Sequence, residues 1–457
     1  MKKFFLPLLS QKRIAGGALV LAITQFAASI CGFLRDRAFS VMFPLQNDPI
    51  GVASVYIAAF RPSDLLFQLF VMSSLSVILV PFLASHLAHD KRDEMNRVTC
   101  SILVIFGSAF GVMVLLAGIF FPWIAPYMVK FTGPSLQLYI QFGRFALLTN
   151  ALFVLGNTLG QYLIAVQKYW IYGITPIIWA LGTIGGIYFL TPVFGPIGAM
   201  YGTLIGTILY IIGRLFGAFQ TGFKFMLPTT GILHADVAQM GWLIIPRMMA
   251  LGALQLQLLL IDRLGSGLGN GVVAINQFAS NFESVIPGIA GIAIAQSVFS
   301  LLGQAHAKGE KKQFWNYVQK GIWMNLALTI PGAIAMVLLT SVAAWMLHLH
   351  PPVSGTFQVA LMIYALAVPF ESVNHILLRA FYSMKNTLIP ALTTALSAAC
   401  GITSGYLLVH SYGIYALAIA YIVTQMMQTL FLSTGLVMDS QKQKRITNLE
   451  LRSTNLS

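Results

Sequence analysis

Long apolar runs separated by short polar breaks set the rhythm of this chain. A helix that crosses a bilayer needs about 20 mainly apolar residues. Twelve runs meet that need, at 14–34, 52–87, 98–129, 136–166, 171–190, 197–219, 237–261, 272–302, 314–347, 359–384, 388–409 and 414–437. The second and eighth contain Pro62 and Pro287. Proline removes a ladder hydrogen bond, so both helices are expected to bend or break there. The pattern predicts an all-α integral membrane protein of about twelve transmembrane helices.

Composition agrees. Only 9% of residues are charged and 57% are hydrophobic, whereas a soluble domain carries about 25% charged residues. Too few charges remain to cover a water-exposed surface. The net charge of +14 raises nucleic-acid binding as a reading, but the placement of the charges argues against it. With the N-terminus inside, the cytoplasmic segments carry Lys2, Lys3, Lys12 and Arg13; Lys91, Arg92 and Arg97; Lys168; Arg214 and Lys224; Lys308, Lys311 and Lys312; Lys385; and Lys442, Lys444, Arg445 and Arg452. The opposite loops carry Arg37, Lys130 and Arg263. That is the positive-inside pattern, with both termini cytoplasmic and no nucleic acid implied.

The chain repeats itself. Val80-Pro81-Phe82-Leu83 before Lys91-Arg92 resembles Phe299-Ser300-Leu301-Leu302 before Lys311-Lys312. Pro176 opens the fifth helix as Pro390 opens the eleventh, and Phe194-Gly195 precedes the sixth as Tyr412-Gly413 precedes the twelfth. The spacing within these pairs is nearly constant. It predicts two six-helix lobes of like orientation around a central cavity that opens to either side in turn. The expected organisation is a cytoplasmic lead-in (1–13), not a removed signal, an N-lobe (14–220), a cytoplasmic linker (221–236), a C-lobe (237–437) and a polar cytoplasmic tail (438–457).

Ionisable residues within a span cost roughly 2.5–3.5 kcal/mol each on insertion scales and usually face a cavity or a partner. They are Arg35 and Asp36 at the end of helix one, Arg61 and Asp64 near the helix-two break, and Arg144 in helix four. Helix seven adds Arg247, with Asp262 and Arg263 at its end; Glu283 lies in helix eight, and Glu371, His375 and Arg379 in helix ten. A cationic cavity for an anionic head group is one reading, because the guanidinium fork grips phosphate oxygens bidentately. Internal pairing is the other: Arg35 with Asp36 or Asp64, and Glu371 with His375 and Arg379. Arg379 also reads as a cytoplasmic anchor beside Lys385. Cys31, Cys100 and Cys400 lie in apolar runs and read as small core residues. Gly265-Ser266-Gly267-Leu268-Gly269 and His348-Leu349-His350 read as loops, and Trp242, Trp315, Trp323 and Trp345 as anchors near helix ends. No cofactor, ATP-binding, metal or catalytic motif stands out, so an enzyme is not expected.

Several segments carry a family resemblance, in order along essentially the whole chain. Cys31-Gly32-Phe33-Leu34-Arg35-Asp36 resembles the signature closing the first helix of MurJ (MviN) lipid II flippases. Ala59-Phe60-Arg61-Pro62-Ser63-Asp64-Leu65-Leu66, Val80-Pro81-Phe82-Leu83-Ala84 and Pro246-Arg247 with Gln255 or Gln257 and Asp262 are similar to that family's second and seventh helices. Leu378-Arg379-Ala380-Phe381-Tyr382-Ser383-Met384-Lys385-Asn386-Thr387-Leu388-Ile389-Pro390 is the most specific match. The resemblance implies the multidrug/oligosaccharidyl-lipid/polysaccharide exporter fold. It also implies transport of lipid II, an undecaprenyl-diphosphate-linked peptidoglycan precursor, from the inner to the outer leaflet of the bacterial plasma membrane. Membrane lipid and cell-wall synthesis proteins are the further partners it implies. Arg35 and Arg61 match basic family positions, whereas Ser29, Phe67 and Asn281 stand where family members often carry arginine. Many members have two further C-terminal helices beyond the twelve traced here. The substrate-binding residues are expected to be Arg35, Arg61, Arg247, Asp36, Asp64, Asn281 and Glu283. Three alternatives stay open: a flippase for another prenyl-diphosphate-linked glycan, a drug exporter of the same fold, and a non-transporting membrane scaffold.

Overall fold

The computed structural model describes the backbone of residues 14–72, 79, 83–226 and 235–454, and side chains within 19–72, 79, 83–226 and 247–438. The expected lead-in (1–13), the Val80-Pro81-Phe82 motif, linker residues 227–234, and the side chains of Trp242, Pro246, Lys442, Lys444, Arg445 and Arg452 lie outside the described residues. Among the described residues, twelve helices are long and apolar enough to cross a membrane, and no strand occurs. They are α1 (Ile14–Met42), α2 (Val52–Phe67), α3 (Arg92–Met128), α4 (Gly133–Ala165), α5 (Tyr169–Gly185), α6 (Ile197–Gln220) and α7 (Ala235–Ser266). Then come α8a (Val272–Glu283) and α8b (Ile292–Ala307), α9 (Lys311–Leu338), α10a (Val353–Ala365) and α10b (Val368–Ser383), α11 (Leu388–Tyr412) and α12 (Tyr415–Thr454). In lipid every backbone polar group must be satisfied within its own segment, which is why apolar runs of this length settle as helices.

Local sequence sets several ends. Asp93 and Glu94 occupy the first turn of α3, where negative charge complements the helix dipole. Gly195 and Gly413 end the helical stretches before α6 and α12 with φ of 68° and 53°, a region that glycine enters without a Cβ clash. These two glycines are one of the sequence-repeat pairs.

The chain divides into two compact units: residues 1–274 with 345–353, and residues 275–344 with 354–457. In the first, α5 packs on α6 and on α1, α4 on α2, α3 and α6, and α7 on α2. In the second, α11 packs on α12, and α10b on α8b, α9 and α12. Four pairings recur at matching places in the repeat: α2 with α4 as α8b with α10b, α3 with α4 as α9 with α10b, α4 with α6 as α10b with α12, and α5 with α6 as α11 with α12. The buried core of the second unit joins Val298, Leu302, Phe314, Val318, Leu377, Phe381, Leu432 and Leu436.

The α5–α6 contact is backbone against backbone. A Cβ on Gly186 would sit 2.5 Å from the Gly202 Cα, and Gly182 faces Gly206 in the same way. Small residues at four-residue spacing allow such an approach, and close van der Waals contact drives helix association where lipid supplies no hydrophobic force. The outward faces carry Leu115, Phe189, Leu338 and Leu407 exposed, as expected when the solvent is hydrocarbon.

Four expectations are corrected. Helix one runs to Met42, not 34, so Arg35, Asp36 and Arg37 lie within α1; α1 continues because Arg35 and Asp36 satisfy each other and Arg37 donates to the Met346 carbonyl at 2.6 Å. The second helix passes through Pro62 without a break, and the irregular π turn comes later, at Gln68–Met72. By contrast, the break in helix eight does begin at Pro287, in a wide turn Pro287–Gly291. Helix twelve runs on to Thr454, not 437. Arg214, assigned above to a cytoplasmic segment, is buried inside α6.

The glycine contact makes a direct prediction. Gly202→Val overpacks a backbone contact and should lower stability by at least the ~1–3 kcal/mol typical of overpacked cores. Gly185→Ala, at the end of the facing helix α5 with nothing within 4 Å of its added Cβ, should be neutral or stabilising by up to ~1 kcal/mol. Thermal unfolding of detergent-solubilised protein distinguishes them; equal melting temperatures would refute the close-packing account.

Candidate functional site

In the first unit two arginines inside the spans pair with aspartates. On α1, Arg35 Nη2 lies 2.8 Å from Asp36 Oδ1. The Asp36 side chain is 3% exposed and that of Arg35 is 22%. On α2, Arg61 Nε donates to Asp262 Oδ2 of α7 at 2.7 Å, an ion pair with side chains 13% and 3% exposed. Asp64 lies three residues from Arg61, yet turns to α4, where Asn150 Nδ2 donates to its Oδ1 at 2.8 Å. Asn150 also donates to Ser63 Oγ at 2.8 Å. Arg247 on α7 is exposed, as is Arg144 on α4, whose Nε donates to the Gly118 carbonyl at 3.1 Å.

A buried charge partnership of helices α2 and α7 carries consequences beyond stability. Arg61 is the residue that ties the second helix to the seventh, and the two helices pack on each other. Removing one member of a buried pair strands the other charge. The arrangement therefore presents guanidinium groups that are already engaged with carboxylates.

Arg214 is the buried cation that the sequence reading missed. It is 2% exposed. Its Nε donates to Thr175 Oγ1 and its Nη1 to the Gly156 carbonyl, each at 2.9 Å. The guanidinium carbon sits 4.6 Å from the Tyr172 ring centroid and 4.1 Å from that of Tyr210. Two aromatic faces and two acceptors hold the charge without an acid, which suits a planar delocalised cation and not a lysine. The Tyr210–Arg214 spacing of one helical turn was the signal available in the sequence.

The second unit sets two glutamates, Glu283 and Glu371, within its spans beside His375 and Arg379. Glu283 is 0% exposed at the end of α8a. Glu371 on α10b accepts from the Tyr421 hydroxyl of α12 at 2.5 Å, and His375 Nε2 lies 3.9 Å from it. Asn281 accepts from Gln277 Nε2, one turn earlier on α8a, at 2.7 Å. Arg379 Nη1 donates to the His375 carbonyl at 3.0 Å. Of the seven predicted binding residues, the structure brings Arg35 and Asp36 into direct contact, joins Arg61 and Asp64 to partners not on that list (Asp262 and Asn150), and buries Glu283. No group of three or more metal-ligating side chains occurs among the described residues.

Twelve spanning helices in two units that repeat one pairing scheme, with ion pairs inside the spans, define a two-lobe polytopic membrane protein of the transporter class. A family model described as lipid II flippase MurJ matches residues 51–456, and the chain belongs to that family. It is 22% identical over 448 residues to a probable lipid II flippase MurJ of Bdellovibrio bacteriovorus, covering 92% of this chain and 82% of the relative. It is 21% identical over 419 residues to that of Aquifex aeolicus, covering 89% and 80%. The fold superposes on a lipid II flippase MurJ in an inward closed conformation with TM-score 0.75 at 19% identity, covering 92% of this chain and 87% of that one. An inward-facing multidrug resistance MATE family transporter of the MOP superfamily also gives TM-score 0.75, at 14% identity, covering 90% and 95%.

The Arg61–Asp262 pair can be tested by a double-mutant cycle. Asp262→Ala should cost ~3–5 kcal/mol by stranding Arg61, whereas Arg61→Leu with Asp262→Leu should recover most of the loss. Melting temperatures in detergent report this; additive losses would show that the pair carries no coupling.

Proposed function

We propose that the chain is a flippase that moves lipid II, an undecaprenyl-diphosphate-linked peptidoglycan precursor, from the inner to the outer leaflet by alternating access. The family match over residues 51–456 carries this reading. The anionic diphosphate would be met by Arg35 and Arg61, assisted by Arg247, with Asp36, Asp64 and Asn281 shaping the site and the prenyl tail left in lipid. Arginine is suited to this role because its planar fork pairs bidentately with phosphate oxygens. The reading places the chain in the bacterial plasma membrane with both termini cytoplasmic, supported by the basic residues on alternate segments. It takes lobes 14–220 and 237–437, joined by 221–236, as the moving parts, supported by the repeated helix pairings. Cell-wall synthesis proteins are the protein partners it implies. No enzymatic step is proposed.

The test is complementation in cells depleted of their own lipid II flippase, at matched amounts of membrane-inserted protein. Wild type should restore growth; Arg35→Ala and Arg61→Ala should not. The double variant Arg61→Ala with Asp262→Ala separates loss of binding from loss of fold, since it leaves no stranded carboxylate. Rescue by both arginine variants would overturn the site, and failure of well-inserted wild type would overturn the substrate.

A further inference from the structure

The carboxylates of the second unit do not take part in the arginine pairing of the first, and their geometry has its own meaning. Glu283 closes α8a, and the wide turn of that helix begins at Pro287. Its side chain is fully enclosed, yet neither carboxylate oxygen has a hydrogen-bond partner. The side chain within hydrogen-bonding reach of it is that of Glu371 on α10b.

The surrounding groups leave Glu283 without a donor. From α12, the Tyr421 hydroxyl is spent on Glu371 Oε2. From α10a, the Tyr364 hydroxyl donates to Asn276 Oδ1 at 3.0 Å. From α10b, His375 lies 3.9 Å from Glu371 Oε1, and Arg379 donates to the His375 carbonyl. From α9, Asn325 donates to the Ser372 carbonyl at 2.8 Å. Among the described residues no lysine or arginine forms an ion pair with either glutamate.

Two ionised carboxylates are both acceptors, so their contact becomes a hydrogen bond only when one oxygen carries a proton. Buried acid pairs meet this constraint by sharing a single proton, because two like charges at such range cannot both ionise. The tyrosine bond to Glu371 stabilises the carboxylate that remains. We propose that Glu283 and Glu371 form a one-proton binding site beside the break in α8. Loading it adds H⁺ to one carboxylate oxygen and takes the pair from two negative charges to one, with no other bond made or broken. This moves Glu283 from substrate contact, where its sequence placed it, to cation exchange. The proton belongs to the pair and not to one residue.

The site can be read without any transported substrate, so its test stands apart from that of the lipid II reading. Infrared spectra of the purified full-length protein, with ¹³C-labelled glutamate, are recorded across a pH titration in potassium salt. Wild type should show a protonated-carboxyl stretching band at neutral pH that shifts with the label and disappears on alkalinisation. Glu283→Gln should abolish it, and so should Glu371→Gln, which serves if the first variant fails to fold; Asp64→Asn should leave it in place. A band absent from folded wild type, or unchanged in both glutamine variants, would overturn the proposal. So would a band that vanishes at fixed pH when sodium replaces potassium, since the pair would then bind a metal cation.

Discussion

A charge placed in a membrane-spanning helix must find its counterpart inside the protein, and this constraint organises both halves of the chain. Water cannot solvate Asp262 or Glu283, so each must be answered by a neighbour. The first unit answers with opposite charge: Asp36 takes Arg35 and Asp262 takes Arg61. It answers Arg214 differently, with two tyrosine faces, a hydroxyl and a carbonyl. The second unit answers Glu371 with the Tyr421 hydroxyl and with His375 one turn on.

One scaffold thus carries two chemistries. The helix pairings of the second unit repeat those of the first, and the same glycine stop precedes the last helix of each repeat. What differs is the polar inventory. The α5–α6 contact depends on glycines meeting glycines, a rigid junction that tolerates no side chain. Polar residues also gather along α2, α4 and α7 and along α8, α10 and α12, and π turns follow α2, α5 and α8a. Irregular backbone beside buried charge is tolerated in membranes where protein surrounds it.

Much of this was legible in the sequence, for physical reasons that can be stated. Apolar run length reports spanning helices directly, and all twelve expected runs correspond to helices. Pro287 marked its break because the missing donor and the wide turn coincide. Pro62 did not, because the helix absorbs a single missing donor and places its wide turn six residues later, at Gln68. Helix one was cut short at 34 because Arg35-Asp36-Arg37 reads as the end of a span, whereas neighbouring opposite charges cancel and allow the helix to continue. Partner choice was the least legible. Arg61 and Asp262 stand 201 residues apart, while Asp64, the partner nearest in sequence, is taken by Asn150. Intrahelical spacing indicates that a residue is buried and needs a partner, and only the tertiary packing of α2 against α4 and α7 selects which one.

The paired arginines bear on how an anionic lipid could be carried and not merely held. An unpaired guanidinium cluster would bind a diphosphate tightly and release it slowly, and a carrier needs comparable affinity on both sides of its cycle. On the proposed site, an anion that takes Arg61 from Asp262 has part of its Coulomb gain offset by the stranded carboxylate. The same exchange removes the ion pair that ties α2 to α7. A ligand shifts a conformational equilibrium only by its differential affinity for the two states. An anion that competes for Arg61 has such a difference built in, because the α2–α7 tie exists only in the state where Asp262 holds the arginine. Replacing Asp262 with a neutral residue of similar size would raise affinity and remove the exchange, which explains why an acid at this position is compatible with an anionic cargo.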